Sequence, residues 1–423
     1  CVCNSNEWSA VMKLVYLVQY FSPEKASGLQ LVEDLLEGFS AHGWKTDVFT
    51  PTPTRGVTDE QRKEYARKRV EIKYDGRLTI HRMHLYREGK GFVGRAIRYL
   101  LFSIECFWKA ATVPADFIFT GSGPPTQGVV VGLAKKVSGK KVIYNLQDIF
   151  PDSLVTSGIC GENSFLMKIG HAMENFTYRN ADHIITITDD MKANIMKKGV
   201  PEDKISVVRN WIDTDKVKHI SREDNLLFDE LKLPRDGFYV VYAGNLGKVQ
   251  GVDVILKTAS LMKNNRDIKF VIFGNGSEEE NLKKIVNDKH LDNVLMLPLQ
   301  PIERASEVYS MADVSIISCT PGTGGSGMPS KTWTIMAAGV PIIASFDMPS
   351  EMERTIEEAE CGFCTRAGDE NELTEKIIRV FGDSRLKKCL GQNARRYAEK
   401  NVSKAEAVEK YIKSIERLVD KEK

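Results

Sequence analysis

Short apolar strands alternate with amphipathic helices along most of the chain, and this alternation limits the possible folds more than any other feature. The segment KLVYLVQYF (13–21) has the pattern of a buried strand, and LQLVEDLLEGFSAHG (29–43) follows it with apolar residues at helical spacing and a final glycine. The same order recurs at TDVFTP, DFIFTG, KVIYNLQ and HIITIT. Because short strands without polar alternation are typical of parallel sheets covered on both faces, the pattern predicts an α/β fold.

The alternation occurs twice, with a polar interruption between the two halves. Residues 210–237 are charged and carry no strong strand signal, and the pattern restarts at FYVVYAGNLG (238–247). We therefore predict two Rossmann-like, doubly wound parallel-sheet domains that face a central cleft. The predicted boundaries are an N-terminal extension at 1–12, a first domain at 13–211, a linker at 212–236, a second domain at 237–400 and a C-terminal helix at 401–423 that packs back towards the first domain.

Charge and cysteine content narrow the functional classes. The net charge is only +2, so no overall positive field points to a nucleic-acid partner. Eight sparsely spread cysteines suit a reducing cytosol better than a disulfide scaffold. No apolar run reaches the ~18 residues of a membrane span, and the first residues lack the order of a signal peptide. The expected location is cytoplasmic, and the charged run at 59–73 is expected to be a solvated face or a loop.

One segment, GKGFVGRAIRYLLFSIECFWKAAT (89–112), is strongly amphipathic. Its apolar residues can share one broad helical face, with Arg95, Arg98 and Lys109 around it. Two interpretations stay open and are compatible. The helix can be a crossover packed on the first sheet, or its basic amphipathic surface can touch anionic lipid at the cytoplasmic face of the membrane.

Glycines cluster where strands of the second half end. In open parallel sheets, ligands bind outside the carboxyl ends of the strands, and glycine there lets backbone N–H groups approach a phosphate. A plain turn explains any single glycine, but three successive clusters favour a binding edge. The clusters are Gly244, Gly247 and Gly251, then Gly274 and Gly276, then Gly322, Gly324, Gly325 and Gly327.

The stretch TPGTGGSGMPSKTWTIMAAGVPIIAS (320–345) joins the last glycine cluster to a short helix. Ser330 is a favourable residue for a helix start, KTWTIMAA has the length of two turns, and Gly339 suits the helix end. Lys331 in the first turn is unfavourable for the helix itself, whereas a bound diphosphate would reverse that sign. We interpret Lys331 as a phosphate-binding lysine, with an incidental surface lysine as the alternative.

Several motifs in the same order resemble one family. GMPSKTWTIMAAGVPIIAS, YAGNLGKVQGVDVI, FGNGSEEENL, NADHIITITDDMKANI and NLQDIFPDSL are similar to glycosyltransferase family 4, which has the GT-B fold. The closest resemblance is to the bacterial branch of N-acetyl-L-fucosamine transferases of capsule, O-antigen and colanic-acid-type polysaccharides. It implies a retaining, metal-independent enzyme without a cofactor. The enzyme would move a sugar from a UDP-sugar to a polyprenyl-diphosphate-linked saccharide at the inner membrane face.

The resemblance also suggests donor-binding residues, with departures from the family pattern. The two glutamates of the family's E-x7-E element correspond to Ser326 and Thr334, and its arginine and lysine in GR…KG correspond to Asn245 and Gln250. We expect Lys248 and Lys331 to supply the missing positive charge, and Lys331 to act in catalysis. The expected donor-binding residues are Gly28, Gly244, Asn245, Lys248, Gly274, Gly276, Gly325, Ser326, Gly327, Ser330 and Thr334.

The first half should supply the acceptor side. Gln147 and Asp148 follow a strand, and Gln147 stands where many relatives have histidine. Asp148 is the expected catalytic carboxylate, since it can orient an acceptor hydroxyl and accept its proton; the alternative is that it caps the following turn. Gly123 and Arg209 are further candidate cleft residues. Asp152 and Glu174 are interpreted as structural.

Two other functions fit the same fold. A non-hydrolysing UDP-sugar 2-epimerase also has two Rossmann-like domains, but histidines are scarce at the predicted strand ends. A non-catalytic subunit that binds a nucleotide sugar would explain the missing glutamates and histidine. The seven histidines show no H-x-E or HExxH spacing, so no metal site is expected.

Overall fold

The computed structural model of the protein describes residues 11–26, 28–87, 91–152, 164–324 and 328–420. These residues form two compact units. The first unit contains the described residues up to Arg209 and those from Val408 onwards, and the second is Asn210–Ala407. Each unit is built on one sheet.

The first unit contains an eight-stranded sheet in the order β3-β4-β2-β1-β5-β6-β7-β8. Its strands are β1 (Lys13–Leu17), β2 (Lys45–Pro51), β3 (Val70–Lys73), β4 (Leu78–Met83), β5 (Phe117–Gly121), β6 (Lys141–Leu146), β7 (His183–Thr186) and β8 (Ile205–Val207). All neighbouring pairs are parallel except β3 with β4. Buried β-branched and aromatic side chains fill both faces of the central strands, with Val15 and Ile118 on one face and Tyr16 and Phe119 on the other, which is why these strands lack polar alternation.

Helices connect these strands. They are α1 (Leu29–Ala41), α2 (Asp59–Arg67), α3 (Phe92–Thr112), α4 (Gln127–Ser138), α5 (Phe165–Asn180) and α6 (Asp189–Lys197). Helix α3 packs on α4, and α4 packs on α5. Among the described helices of the protein, none combines the length and the apolar character that a membrane crossing requires.

The charged run at 59–73 forms a solvated face, which was one of the two expected alternatives, and not a loop. It forms α2, whose residues are all at least partly exposed and whose start carries a capping box from Thr58 and Gln61, and then the edge strand β3. Tyr74 and Asp75 have positive φ angles of 51° and 52° in the turn to β4. This hairpin was missed because an exposed edge strand has no apolar pattern.

Helix α3 packs on the first unit and still leaves an apolar side open. Phe102, Cys106 and Ala110 are buried in the core, so the packing interpretation of 89–112 is confirmed. The opposite side is 40–60% exposed and consists of Ile97, Leu100, Leu101, Ile104 and Trp108.

The expected basic rim of α3 needs one correction. Arg98 is only 3% exposed and donates a hydrogen bond to the carbonyl oxygen of Tyr86. It therefore belongs to the interior, not to a lipid-facing rim. The side chain of Arg95 and residues 88–90 lie outside the described part of the chain.

The second unit contains a fully parallel six-stranded sheet in the order β11-β10-β9-β12-β13-β14. Its strands are β9 (Phe238–Asn245), β10 (Ile268–Asn275), β11 (Val294–Leu297), β12 (Val314–Ser318), β13 (Ile342–Phe346) and β14 (Gly362–Arg366). Its helices are α7 (Leu227–Glu230), α8 (Asp253–Leu261), α9 (Glu279–Asp288), α10 (Ala305–Ser310), α11 (Lys331–Ala337), α12 (Glu351–Ala359), α13 (Glu370–Phe381) and α14 (Ser384–Asn401). The parallel-sheet prediction is confirmed for both units, apart from the hairpin at β3.

The predicted linker at 212–236 lies within the second unit. The amide of Ile212 donates to the carbonyl oxygen of Val402 at 3.0 Å, and the amide of Lys218 donates to the Ser306 hydroxyl at 3.1 Å. Leu227 and Phe228 of this segment are buried in the core of the second unit, so the segment is part of that unit.

The last described helix, α15 (Lys404–Asp420), returns the chain to the first unit. Tyr411 is fully buried there, and its hydroxyl donates to Asn145 Oδ1 at 2.9 Å. Lys141 Nζ donates to the carbonyl oxygen of Leu418 at 2.5 Å. The C-terminal helix thus completes the interior of the unit in which the chain begins.

Candidate active site

The predicted glycines of the second unit lie at the carboxyl ends of β9 and β10. Gly244 and Gly274 are paired in the parallel register of these strands. A Cβ atom added to Gly274 would lie 2.5 Å from the Gly244 carbonyl oxygen, and one added to Gly276 would lie 2.6 Å from the carbonyl oxygen of Leu246. Close backbone packing is therefore sufficient to explain glycine at 274 and 276, and their contact with a donor remains a prediction.

Lys331 points back to the end of β9. Its Nζ lies 3.9 Å from the centre of the Tyr242 ring, and a Cβ on Gly244 would meet Nζ at 2.8 Å. Gly244 has a φ angle of +147°, which L side chains rarely adopt. Glycine at this position therefore leaves room for the ammonium group beside the strand end.

The charge of Lys331 lacks a counter-ion among the described residues. Within the described part of the chain, Lys331 forms no ion pair, and its cation–π contact with Tyr242 adds no negative charge. Burial lowers the pKa of Lys331 from its ordinary 10.5 to about 8. Desolvation disfavours the ammonium form of Lys331, and no described carboxylate offsets this cost. An anion bound beside Lys331 would therefore stabilise the ammonium form and be stabilised by it.

A cavity of about 320 Å³ lies beside this lysine in the second unit. Ile317, Met328 and Phe346 give it apolar walls, and Gln250 and Lys331 contribute polar atoms. Among the described residues that line the cavity, none is acidic. The cavity can therefore accept a negatively charged group next to an apolar one.

The glycine loop after β12 is anchored from β13. Asp347 accepts hydrogen bonds from the backbone N–H groups of Gly322 at 2.9 Å and Gly324 at 2.7 Å. The Thr320 hydroxyl donates to the carbonyl oxygen of Lys248 at 2.6 Å, which ties the loop to the turn after β9. Gly325, Ser326 and Gly327 lie outside the described residues.

The remaining predicted donor residues are dispersed around this edge. Asn245 Nδ2 donates to Gln250 Oε1 at 3.2 Å, so the two residues at the family's arginine and lysine positions bind each other. Lys248 is exposed in the short 3₁₀ turn Lys248–Gln250. Thr334 is buried within α11. Ser330 stands at the N-cap of α11, but its side chain makes no capping hydrogen bond.

In the first unit, the predicted acceptor residues lie at the carboxyl ends of adjacent parallel strands. Gln147 and Asp148 follow β6, and both backbone N–H groups donate to the hydroxyl of Ser122, at 3.2 and 3.3 Å. The carboxylate-bearing residue Asp148 is exposed. Ser122 and Gly123 follow the neighbouring strand β5, and Ser122 was not anticipated from the sequence.

Gly28 and Arg209 are the two other predicted site residues of this unit. Gly28 begins α1 with a φ angle of +75°, and an added Cβ would meet no atom within 4 Å. Arg209 donates to Asp189 Oδ2 at 3.0 Å. Arg209 is therefore engaged in an ion pair within its own unit.

Asp152 and Glu174, which were interpreted as structural, belong to a group of charged side chains in the first unit. Asp152, His171 and Glu174 each present one potential metal-ligand atom, and these atoms lie within 4.8 Å of one another. Lys198 Nζ donates to Asp152 Oδ2 at 2.8 Å and to Glu174 Oε1 at 2.7 Å. The ammonium group thus already supplies a cation to both carboxylates. Nothing in the local sequence around Lys198 indicated this long-range pairing.

Comparisons with known proteins identify the domain families of the two units. The family model "Glycosyltransferase Family 4" matches residues 30–216, and "Glycosyl transferases group 1" matches residues 223–397. The chain is 24% identical over 421 residues to "Putative colanic acid biosynthesis glycosyl transferase WcaI" of Escherichia coli, covering 95% of this chain and 99% of the relative. It is 22% identical over 294 residues to "Capsular polysaccharide biosynthesis glycosyltransferase CapM" of Staphylococcus aureus, covering 67% of this chain and 72% of the relative.

The fold has close structural neighbours at low identity. The crystal structure of Alr3699/HepE from Anabaena in complex with UDP superposes with a TM-score of 0.71 at 14% identity, covering 96% of this chain and all of that one. At this identity the likeness establishes the architecture, two α/β units on parallel sheets. The chain is therefore a glycosyltransferase of GT-B fold, with a family 4 domain followed by a group 1 domain.

Proposed function

We propose that this glycosyltransferase transfers a sugar from a UDP-sugar to a polyprenyl-diphosphate-linked saccharide during synthesis of a bacterial surface polysaccharide. The relatives named for colanic acid and capsular polysaccharide support the pathway class. The neighbour that binds UDP supports the nucleotide. The observation that carries the proposal is half-buried Lys331, whose ammonium has no carboxylate partner among the described residues and lies beside a cavity at the sheet edge.

In the proposed reaction, the sugar leaves the donor diphosphate and bonds to the acceptor hydroxyl with retention of the anomeric configuration. Lys331 stabilises the negative charge that develops on the departing diphosphate. Asp148 orients the acceptor hydroxyl and takes up its proton as the new bond forms. Lys248 adds positive charge at the donor, and the protein acts mainly by positioning and charge stabilisation.

We propose an N-acetylated deoxyhexose, such as N-acetyl-L-fucosamine, as the donor sugar. The two glutamates that are common in the family's E-x7-E element are replaced here by serine and threonine at positions 326 and 334. The cavity has apolar walls at Ile317, Met328 and Phe346, which suit a methyl or acetyl group better than a row of hydroxyls. Competition between UDP-N-acetyl-L-fucosamine and UDP-glucose would test this preference.

We further propose that the first unit docks on anionic lipid at the inner membrane face, where the acceptor resides. The exposed apolar side of α3 is continued by Leu133 and Val137 on α4, which packs against it. Lys136 on α4 and Lys168 on α5 are exposed on the same helical layer. Apolar residues flanked by lysines are typical of surfaces that insert into the headgroup region.

Liposome co-sedimentation tests the membrane proposal. The variant Leu100→Ser/Trp108→Ser should bind vesicles with anionic lipid less tightly than the wild type. Leu226→Ser, which changes a 61% exposed leucine of the second unit, is the matched control and should bind normally. Unchanged binding of the α3 variant would remove the proposal.

Thermal unfolding with UDP, GDP, ADP and dTDP tests the donor proposal. UDP at a hundred times its Kd should stabilise the protein by roughly 2.7 kcal/mol. Lys331→Ala should abolish that effect, whereas the control Lys283→Ala, which removes an exposed lysine paired with Glu279, should retain it. If no nucleotide shifts the unfolding transition, the donor proposal fails.

Turnover distinguishes the remaining alternatives. UDP binding without sugar transfer to any lipid-linked acceptor would favour the non-catalytic binding subunit. The epimerase alternative has no support, because both matching family models are glycosyltransferase models. Metal independence is part of the proposal, and transfer that stops in EDTA and returns with a divalent cation would contradict it.

A further inference from the structure

Lys198 connects two carboxylates that lie in different parts of the first unit. It follows the end of α6 and donates to Asp152 Oδ2 at 2.8 Å and Glu174 Oε1 at 2.7 Å. The Glu174 side chain is only 2% exposed, whereas that of Asp152 is 35% exposed. Lys198 therefore joins a buried carboxylate to one at the surface.

Glu174 is held firmly enough to serve as a fixed point. The Tyr178 hydroxyl donates to Glu174 Oε1 at 3.0 Å, and His171 Nδ1 lies 3.1 Å from Glu174 Oε2. Tyr178 and Glu174 both belong to α5. The ammonium of Lys198 is thus anchored on α5 and extends from there to Asp152.

Residues 147–152, here called the Asp148 turn, carry Asp148 near one end and Asp152 at the other. The start of this turn is held by Ser122, whose hydroxyl accepts the N–H groups of Gln147 and Asp148. The middle of the turn packs against α5, because a Cβ added to Gly170 would lie 2.6 Å from Pro151 Cβ. At the far end, Asp152 Oδ2 accepts the short ion-pair contact from Lys198 Nζ at 2.8 Å and a longer hydrogen bond from Asn194 Nδ2 at 3.4 Å.

We propose that Lys198 is a positioning residue that fixes the Asp148 turn for the acceptor side of the reaction. This inference rests on the proposed function, in which Asp148 orients the acceptor hydroxyl. Lys198 does not touch the substrate; it acts through Asp152 and the backbone of the turn. Loss of the pair frees one end of the turn and misplaces the Asp148 carboxylate.

Asp152→Asn is the sharper test, since it reduces the ion pair at the turn to at most a neutral hydrogen bond and leaves the buried Lys198–Glu174 pair in place. We expect kcat to fall about 10- to 100-fold, the loss that a misplacement of roughly 1 Å produces. UDP affinity should stay unchanged. Lys198→Met should show the same loss, and Lys198→Arg should recover most of the activity because it restores a cation.

The control is Lys192→Met, which removes another lysine of the same helix region. The ammonium of Lys192 pairs with Glu202 at 2.7 Å and not with a residue of the turn. It should leave kcat unchanged. Wild-type kcat in both Asp152→Asn and Lys198→Met would overturn the inference.

Hydrogen exchange separates this inference from the proposed function. The amide of Asp148 should exchange at least about tenfold faster in Asp152→Asn and Lys198→Met than in the wild type or in Lys192→Met. This readout needs neither donor nor acceptor. Faster exchange in a protein that transfers no sugar would refute the proposed function and support the positioning of the turn, whereas unchanged exchange would refute the positioning itself.

Discussion

Replacing Lys331 with methionine should stabilise the free protein while removing its affinity for UDP. The substitution keeps a long unbranched side chain but deletes the ammonium, which is half-buried without a carboxylate partner among the described residues. If a residue is retained for ligand binding at the expense of stability, its replacement should raise the stability of the protein and remove the binding.

The size of the stability difference between Lys331→Met and the wild type, and its dependence on pH, follow from the lowered pKa of Lys331. The pKa falls from 10.5 to about 8, and at 1.36 kcal/mol per unit this limits the penalty to roughly 3 kcal/mol. The cation–π contact with the Tyr242 ring offsets up to about 2 kcal/mol of this penalty. We therefore expect the unfolding free energy of Lys331→Met to exceed that of the wild type by about 1 to 3 kcal/mol at pH 7. Between pH 8 and 10.5 the unfolded wild type binds more protons than the folded form, so wild-type stability rises with pH there and the advantage of the variant disappears.

Urea unfolding of the wild type and Lys331→Met at pH 7 and pH 10, with and without UDP, measures these effects. The variant should unfold at higher urea concentration than the wild type at pH 7, and UDP should not shift it. A variant that is less stable at pH 7, or a stability difference that does not change with pH, would show that the ammonium carries no desolvation penalty. The explanation of the site would then be wrong.

Two further substitutions probe the surroundings of the site and the second unit. Gly244→Ala places a Cβ 2.8 Å from Lys331 Nζ and should weaken UDP binding roughly 10- to 100-fold, because a hydrogen bond to a charged group is worth about 1.5–3 kcal/mol. Gly139→Ala, also at positive φ but with no atom within 4 Å, is the control for backbone strain, and equal UDP affinities in calorimetry would contradict the prediction. Asp313→Asn leaves two basic partners of a 4% exposed carboxylate without their counter-charge and should lower the unfolding free energy in urea by about 3–5 kcal/mol; a loss below about 1 kcal/mol would show that the pair contributes little.

Apolar strand patterns could predict the two sheets because burial on both faces leaves a strong local signal. Strands β1, β5 and β6 were found at their expected positions for this reason. Helix α3 shows the limit of the same logic. Its periodicity revealed an apolar side, but Phe102 and Cys106 are the side chains that enter the core, and Leu100 is on the open side. Periodicity alone does not identify which side meets the sheet.

The candidate site was only partly predictable. Lys331 could be proposed because a lysine in the first turn of a glycine-preceded helix is locally unfavourable. Its contact with Tyr242, almost ninety positions earlier in the chain, depends on the register of β9. The pairing of Lys198 with Asp152 likewise joins residues from separate segments. Such contacts leave no trace in local composition, and only the folded chain brings them together.

The return of α15 to the first unit has a consequence for protein synthesis. Residues up to Arg209 leave the ribosome well before Tyr411 exists, although the Tyr411 ring lies 6.2 Å from that of Phe119 and Val408 fills the space beside Gly38. At 5–20 residues per second, the intervening segment delays completion by on the order of ten seconds or more. The second unit is contiguous and can close first. Part of the apolar interior of the N-terminal half therefore stays exposed on the nascent chain until α15 has been synthesised.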